Sequence, residues 1–387
     1  MKKILALLLT LVLVFSFAAC GAKEEPAKNE TENNASAATE TPAAETPAAG
    51  DLNVGVFYYA YSDTYISSVR TALDNALTAA GISYTDYDGN GNQTQQTEQI
   101  QTALTAGCNL LIVNMVTSGS SDTAKAIMDM AGSVPVIFFN RAVESDGEEG
   151  TVLGAYQNIC FIGTDAPEAG HMQGKMVGDY VLANFDTVDL NGDGKISYAM
   201  FKGEEGNAEA IARTQFGVED ADAVLTAAGK PALEYFDAQA SQKWQTDPEG
   251  AWSAKAAKDY MDTNMVTYNK DNNNMIELVI CNNDGMAEGV VESLKQAGYN
   301  AAGQHVIPVF GVDATDAAKA LIAEGSMIGT VKQDNVGMAE AICATVKAIA
   351  EGKTPADALA SLNDARFTIA PECASKLYVA YAPYLGE

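Results

Sequence analysis

Short apolar runs alternate with longer amphipathic stretches along the chain from Leu52 onward. Each apolar run is bounded by polar residues or glycine, which predicts a strand buried on both faces. Apolar residues recur at helical spacing in the stretches between them, which predicts helices packed on those strands. The predicted strands cover residues 52–58, 82–87, 110–113, 134–139, 160–163, 196–201, 233–236, 277–281, 306–312 and 327–331. The predicted helices cover residues 64–80, 94–106, 121–132, 167–184, 208–228, 253–268, 285–297, 316–324 and 335–352.

The order of these elements is strand then helix, repeated in two series. The polar, glycine-bearing stretch 143–158 separates the series, and a strand-like tail, residues 366–387, follows the last helix. This order is typical of an α/β fold with two doubly wound, Rossmann-like lobes and a cleft between them. We expect the first lobe to comprise residues 51–158 and 334–366, and the second lobe residues 159–333 and 367–387.

Polar side chains follow several of the predicted strands. In the first series they are Asp63, Tyr65, Asn114, Asn140 and Arg141. In the second series the strands end at Asn282-Asn283-Asp284, at Asp313 and at Lys332-Gln333-Asp334. A single Asn after a strand is usually a cap or a turn residue, but several in succession are harder to explain as caps alone. Because open α/β sheets bind ligands at the carboxyl ends of their strands, the pattern predicts a ligand cleft.

Residues 189–197 open like a calcium-binding loop. Asp189, Asn191 and Asp193 place oxygen ligands on alternate residues, and Gly194 at the sixth position allows a sharp turn. An EF-hand would supply a bidentate Glu at the twelfth position, which is Met200 here, inside a predicted strand. We therefore expect a cation whose closing carboxylate comes from elsewhere in the fold; the alternative is a turn without metal.

Composition narrows the classes of partner. The formal net charge is −28, and this argues against nucleic acid, because phosphate binding needs a basic surface. Hydrophobic residues make up 47% and charged residues 19% of the chain, which is ordinary for a globular protein with filled cores. The excess acid is spread along the chain and is read as a solvated surface that favours solubility.

The N-terminus has the features of a secretion signal. Lys2 and Lys3 precede an apolar run that is too short for a comfortable transmembrane helix, and Ala18-Ala19-Cys20 follows. This arrangement resembles a bacterial lipobox, although Phe17 stands where that motif usually has Leu. The resemblance implies a lipoprotein signal peptide over residues 1–19 and lipid attached to Cys20; the alternative is a plain secretory signal.

Residues 20–50 are rich in Ala, Glu, Thr, Pro and Asn and contain no aromatic and no large aliphatic residue. Such a segment cannot bury enough apolar surface to offset its ordering entropy, so we expect a disordered, lipid-anchored tether. The cysteines after Cys20 are odd in number and not closely paired, which argues against a disulfide framework. We expect them to be small buried apolar residues.

From Leu52 to about Tyr378 the chain resembles the D-galactose/D-glucose-binding proteins of bacterial ABC transport. The resemblance rests on strings spread over both series: VPVIFFN (134–140), GTD (163–165), DxNxDG (189–194), KGE (202–204), NNDGMA (282–287), PVFGVD (308–313) and GTV (329–331). It implies a type I periplasmic-binding-protein fold, with two lobes joined by three hinge strands. It also implies a binding protein and not an enzyme.

The resemblance implies a set of sugar-binding residues at positions of this sequence. Tyr65 and Trp252 would supply flat rings for the two faces of a hexose, which carry C–H bonds. The hydroxyl groups at the rim would bind carboxylate, amide and guanidinium groups. These polar positions are Asp63, Asn114, Asn207, Glu209, Arg213, Asn283, Asp313 and Gln333.

Three of these positions depart from the family pattern. Asn207 replaces a His, Glu209 replaces an Asp, and Gln333 replaces an Asn. All three residues can still form hydrogen bonds, but their side chains differ in length from those of the family. Because directed hydrogen bonds in a buried site discriminate between sugars that differ in one hydroxyl group, these changes affect which sugar is expected to bind. Galactose or glucose is the expected ligand, with another monosaccharide such as a pentose as the alternative.

The resemblance also implies a structural calcium ion. Its ligands would be side chains of Asp189, Asn191 and Asp193, the carbonyl of Lys195, a group at Ser197, and Glu277 as the closing carboxylate. Ser197 replaces a longer amide, so a water could stand in for one ligand and the ion is expected to bind somewhat more weakly than in the family.

Three functions are compatible with an α/β fold of two lobes around a cleft, and the sequence favours the first. A lipid-anchored receptor would act as a monomer on the outer face of the cell membrane, closing on a sugar and delivering it to an ABC permease, or presenting it to a chemoreceptor or kinase. A sugar-responsive repressor would need a basic helix-turn-helix before residue 52, where a signal and an acidic tether stand. A glycosidase would need paired catalytic carboxylates, and a cleft ringed by amides and flat rings suits binding better.

Overall fold

The structure is a computed structural model that describes residues 52–145 and 147–386. The predicted signal peptide, Cys20 and the predicted tether lie outside the described residues. Within the described part, no helix combines the length and the apolar character needed to cross a membrane. The described cysteines are unpaired, and Cys108, Cys160, Cys281 and Cys343 are buried, as expected for small apolar residues.

One sheet forms the centre of the first lobe. Its spatial order is β12-β13-β5-β4-β3-β1-β2, and all neighbours pair in parallel except β12 with β13. Every residue of the central strands β3, β4 and β5 is buried, as the uninterrupted apolar runs predict. The strands are β1 (Asn53–Tyr58), β2 (Ser83–Asp88), β3 (Leu110–Val113), β4 (Val136–Phe139), β5 (Ile159–Gly163), β12 (Phe367–Ile369) and β13 (Lys376–Val379).

A second sheet forms the centre of the other lobe. Its order is β14-β11-β10-β9-β6-β7, β8 also pairs with β6, and β14 is antiparallel to β11. Apolar clusters lie on both faces of each sheet, so each lobe is a three-layered α/β sandwich. The strands are β6 (Ser197–Lys202), β7 (Glu234–Tyr235), β8 (Gln245–Thr246), β9 (Leu278–Cys281), β10 (Val309–Asp313), β11 (Gly329–Gln333) and β14 (Tyr381–Tyr384).

The helices cover the faces of the two sheets. They are α1 (Thr64–Ala79), α2 (Gln93–Thr105), α3 (Ser121–Ala131), α4 (Ala166–Ala183), α5 (Phe185–Val188), α6 (Ala208–Ala227), α7 (Ala254–Thr267), α8 (Asp284–Gln296), α9 (Asp316–Ala323), α10 (Asn335–Ala350) and α11 (Pro355–Ala360). Helices α4 and α6 pack closely because glycine faces the crossing: a Cβ on Gly174 would lie 2.2 Å from the Phe216 carbonyl oxygen. This packing fixes the N-terminus of α6, which points at the cleft.

The chain crosses between the lobes at residues 163–166, 333–335 and 379–381. The predicted lobe boundaries were therefore wrong at two places. Strand β5 was assigned to the second lobe but pairs with β4 of the first sheet, and residues 367–379 also join the first sheet. Only β14 of the predicted C-terminal tail belongs to the second sheet. The reason is that burial and periodicity show that a strand exists, whereas the choice of sheet depends on long-range pairing.

Candidate functional site

A cleft between the lobes is the candidate ligand site. Residues of the first lobe approach it from the ends of β1 and β4 and from the start of α1. Residues of the second lobe approach it from α6, β10 and the loops around α7 and α8. The lining residues are Tyr59, Asp63, Tyr65, Ile66, Asn140, Arg141, Asn207, Glu209, Arg213, Trp252, Asn283, Asp313 and Gln333. All the predicted ligand residues except Asn114 are in this set.

Asn114 lies behind the site and does not line it. Its side chain is fully buried and accepts a hydrogen bond from the Tyr59 backbone N–H at 3.2 Å. Its amide group donates to the Phe139 carbonyl at 3.1 Å and to Asn140 Oδ1 at 3.2 Å. Asn114 therefore ties the ends of β1 and β4 together, and Asn140 takes the place at the cavity wall that was predicted for Asn114.

Arg213 projects from α6 and is held by hydrogen bonds on two of its nitrogens. Nη1 donates to the Asn282 carbonyl at 2.9 Å, and Nη2 donates to Gln333 Oε1 at 3.2 Å and to the Tyr381 hydroxyl at 3.0 Å. Its Nε finds no hydrogen-bond partner among the described residues although it is buried. The guanidinium is therefore fixed, and a buried donor remains for a ligand.

Trp252 lies against a backbone segment that only glycine permits. A Cβ on Gly203 would lie 2.1 Å from the indole Cδ2 and Cε3 atoms, so the ring rests directly on the loop after β6. The Trp252 residue has a positive φ of 55°, and Asn283 Nδ2 donates to its carbonyl at 3.2 Å. The Arg213 guanidinium lies 5.7 Å from the ring centre. The indole is thereby fixed at the cavity wall.

Two buried carboxyl groups of the second lobe line the cavity. Burial raises the pKa of Glu209, and the nearby Arg213 charge counteracts part of that effect. Burial also raises the pKa of Asp313, with a further contribution from the Asp284 carboxyl, while Arg213 again acts in the opposite direction. Asp313 has a φ of 130°, a backbone conformation that L-residues rarely adopt, which aims its side chain from the end of β10.

Several other predicted ligand residues already have protein partners. Asp63 caps α1 through the Ile66 N–H at 2.7 Å and accepts from the Tyr59 hydroxyl at 2.6 Å. The Asn207 and Asn283 side-chain oxygens cap α6 and α8. These side chains are oriented by secondary structure before any ligand arrives. In contrast, Gln333 Nε2 finds no hydrogen-bond partner among the described residues.

Tyr59, Ile66, Asn140 and Arg141 complete the lining, and they were absent from the predicted ligand set. Asn140 and Arg141 did carry a signal, since they follow a buried strand directly. Tyr59 extends the apolar run of β1 and gave no separate signal. Its ring lies under the Arg141 guanidinium, 4.2 Å from ring centre to Cζ, which is a cation–π arrangement.

Comparison with known proteins decides the family. A family profile described as "Periplasmic binding protein domain" matches residues 54–354. The chain belongs to this family. It is 33% identical over 309 residues to the D-galactose/methyl-galactoside binding periplasmic protein MglB of Haemophilus influenzae, which covers 79% of this chain and 84% of that protein. The resemblance predicted from the sequence strings is confirmed at the level of the family.

Solved structures with the same fold include a solute binding protein from Clostridium phytofermentans with bound β-D-glucose. It has a TM-score of 0.63 at 20% identity, covering 86% of this chain and 93% of that chain. A Caulobacter myo-inositol binding protein has a TM-score of 0.61 at 20% identity, covering 88% and 95%. At these identities the likeness confirms the fold, with its two parallel-sheet lobes.

The predicted calcium loop, residues 189–197, lies beside Glu277, the residue that was predicted to supply the closing carboxylate. Glu277 Oε1 accepts from the Leu190 and Asn191 N–H groups at 2.7 and 3.2 Å, and Oε2 accepts from the Ser197 N–H at 3.0 Å. Its carboxylate therefore spans the start and the end of the loop. Burial raises the pKa of Glu277, and these backbone hydrogen bonds counteract part of that effect.

The donor chemistry of this loop fits a hard cation, because its side chains offer oxygen atoms from two Asp, one Asn and one Glu. The loop carboxylates now accept backbone hydrogen bonds, for example Asp189 Oδ2 from Gly194 N–H at 2.9 Å and Asp193 Oδ1 from Lys195 N–H at 2.9 Å. Ser197 Oγ donates to the Met275 carbonyl. Among the described residues, no three His, Cys, Asp or Glu side chains converge closely enough to hold a metal as they stand.

Proposed function

We propose that this protein binds a hexose, with galactose or glucose as the first candidates, in the cleft between its lobes and delivers it to an ABC permease. The observation that carries the proposal is a set of unsatisfied groups around one cavity. Arg213 Nε and Gln333 Nε2 are buried donors that find no partner in the part of the chain that the structure describes, and the Glu209 and Asp313 carboxyl groups line the same cavity as acceptors.

A polyhydroxylated ring matches these groups. Each hydroxyl both donates and accepts, so adjacent hydroxyls can accept from Arg213 and Gln333 and donate to Glu209 and Asp313. Such bonds are charge-assisted where Arg or a carboxylate takes part. The Trp252 indole, held flat on Gly203, offers an apolar surface for the C–H face of the ring.

The comparisons support a sugar or a related polyol as the ligand class. The names of similar proteins mention D-galactose, β-D-glucose and myo-inositol. These ligands share a six-membered ring with several hydroxyls. Galactose and glucose are proposed for this chain because the relative that is 33% identical is a galactose-binding protein.

Closure of the lobes supplies the transport signal in this proposal. Asp63 and Asn140 stand on the first lobe, and Arg213 and Asp313 stand on the second, so a sugar held by both sets favours the closed form. No catalytic step is proposed, because the cavity groups are those of a binding site and the matched family is one of solute-binding proteins.

Two further features belong to the proposal. Lipid on Cys20 would hold the protein to the outer face of the cell membrane through the 20–50 tether. A calcium ion in the 189–197 loop would be held by Asp189, Asn191, Asp193, the Lys195 carbonyl, Ser197 and Glu277. The ion would neutralise the loop carboxylates and stabilise the fold there, away from the sugar.

Calorimetric titration of residues 51–387 with hexoses, pentoses and myo-inositol tests the function. We expect galactose or glucose to bind more tightly than any pentose. If a pentose or inositol binds more tightly, the ligand assignment is wrong. If no sugar produces heat, the binding proposal itself is wrong.

A further inference from the structure

Arg141 and Glu204 form an ion pair across the cleft. Arg141 follows β4 in the first lobe, and Glu204 lies between β6 and α6 in the second lobe. Arg141 Nη2 donates to Glu204 Oε1 at 2.9 Å and to Oε2 at 2.7 Å. The Arg141 side chain is 5% exposed and the Glu204 side chain 24% exposed, so solvent screens the pair only in part.

Each partner is fixed within its own lobe. Arg141 Nη2 also donates to the Val116 carbonyl at 3.0 Å, and the guanidinium lies on the Tyr59 ring. Glu204 Oε2 accepts from Asn207 Nδ2 at 3.2 Å and from the Trp252 indole Nε1 at 3.4 Å. Glu204 therefore accepts hydrogen bonds from Arg141 of the first lobe and from Asn207 and Trp252 of the second lobe. All three donors line the cleft, whereas Glu204 itself does not.

Opening about the hinge would break this pair, because its two members lie on different lobes. The pair is made only by protein groups, so its contribution to closure does not depend on which ligand is present. A protein that spends more time in its binding-competent form has a higher apparent affinity in proportion to that fraction. Breaking the pair would also take the Arg141 charge away from Glu204, the carboxylate that accepts a hydrogen bond from the Trp252 indole.

We infer that Arg141 and Glu204 form a latch that favours the closed arrangement of the lobes without ligand and positions Trp252 when it is shut. The inference depends on the proposed function in one respect only: the second test below uses a hexose as the ligand. Neither residue is proposed to carry out chemistry; both act as positioning residues for lobe closure.

The first test needs no ligand. Small-angle X-ray scattering of residues 51–387 at low ionic strength gives the radius of gyration of the wild type and of Glu204→Gln, Arg141→Gln and the charge exchange Arg141→Glu/Glu204→Arg. We expect a larger radius for both single variants and recovery toward the wild type in the exchange. An unchanged radius in both single variants overturns the latch, whatever the protein binds.

Glu205 provides a matched control one residue along the chain. Its carboxylate pairs with Lys202 of the same lobe at 2.5 Å and accepts from the Trp244 indole at 3.2 Å, so it has the same type of contacts without crossing the cleft. We expect Glu205→Gln to leave the radius unchanged. An equal expansion in Glu205→Gln would mean that the loop, and not the latch, sets the shape.

The second test measures hexose affinity in a double-mutant cycle of Arg141→Gln and Glu204→Gln. We expect each single change to weaken binding about tenfold and the double variant to be little worse than either. Additive losses would overturn the coupling between the two residues. Absence of hexose binding in the wild type would refute the proposed function alone, since the scattering test still decides on the latch.

Discussion

Arg213 donates a hydrogen bond to the hydroxyl group of Tyr381 at 3.0 Å, and this joins the ligand cavity to the hinge. Tyr381 begins β14, directly after one crossing between the lobes, and its hydroxyl donates to Thr164 Oγ1 at 2.9 Å in another crossing. Gln333, which accepts from the same Arg213 nitrogen, ends β11 at the third crossing. One guanidinium therefore lines the ligand cavity, contacts two of the three crossings between the lobes directly and is linked to the third through the Tyr381 hydroxyl.

Removal of the Tyr381 hydroxyl should weaken ligand binding without disturbing the cavity wall. Tyr381→Phe keeps the buried ring but loses both hydrogen bonds, which leaves Arg213 Nη2 with Gln333 alone. We expect a loss of affinity of about three- to tenfold, from a net value of about 1 kcal/mol for one buried hydrogen bond. Calorimetric titration with the preferred hexose measures it.

Tyr384→Phe is the matched control, because Tyr384 lies on the same strand and its hydroxyl is outside this network. Equal affinities for Tyr381→Phe and the wild type would show that the hinge network does not position Arg213.

Truncation of Trp252 should abolish most of the affinity. Trp252→Ala removes the ring that rests on Gly203 and leaves an unfilled space at the cavity wall. We expect at least about a hundredfold weaker hexose binding, since stacking and burial of a large ring contribute about 3 kcal/mol or more. The other tryptophan, Trp244, is outside the cavity lining and provides the control Trp244→Ala. Similar losses in the two variants would remove Trp252 from the ligand site.

Calcium removal should destabilise the second lobe. If the 189–197 loop binds calcium through Glu277, a chelator should lower the unfolding temperature by about 5 °C, because a ligand that binds only the native state stabilises it by mass action. Glu277→Gln should weaken the response to chelator, whereas Asp271→Asn, on an exposed residue outside the loop, should leave it intact. A melting curve that chelator does not change would show that the loop holds no structural calcium.

Asp86 should make stability depend on pH. The pKa of Asp86 is raised from 3.8 to about 7 in the folded protein. Burial is the main cause, and the charge of Asp74 is the second. The folded state then binds more protons than the unfolded state between these values, so the contribution of Asp86 to stability is present below about pH 4 and is lost as the pH rises to about 7. Asp86→Asn, which stays neutral, should therefore stabilise the protein more at pH 8 than at pH 5.

The expected gain at pH 8 is about 1–2 kcal/mol in the free energy of unfolding, reduced from the full shift because the site is partly exposed. Urea unfolding at the two pH values measures it. The control variant is Asp122→Asn, because Asp122 is exposed. Asp88, on the same strand as Asp86, is unsuitable because its carboxylate accepts hydrogen bonds from two backbone N–H groups. A gain that is equal at both pH values would contradict the assignment to Asp86 ionisation.

Local patterns in the sequence were sufficient for the main strands and helices and for much of the site, but they did not reveal the short elements α5, β8 and α11. Apolar runs located the central strands because a strand buried on both faces needs an uninterrupted apolar segment. Resemblance placed residues such as Arg213, Trp252 and Asp313 at the cavity, and it brought Glu277 to the loop at 189–197. Lobe membership could not be read in this way, since β5 and β13 look the same whichever sheet they join.

The sequence by itself determined the α/β class, the two lobes and the positions from which side chains could reach a ligand, because these follow from local burial patterns along the chain. It also determined the family, through short strings that resemble those of the family. Only the tertiary structure decided that Asn114 supports the wall while Asn140 forms it, and that Arg141 meets Glu204 across the cleft. It also decided which buried donors find no partner among the residues that the structure describes. These outcomes depend on distances between residues far apart in the chain, and such distances are fixed only when the sheets, helices and crossings pack together.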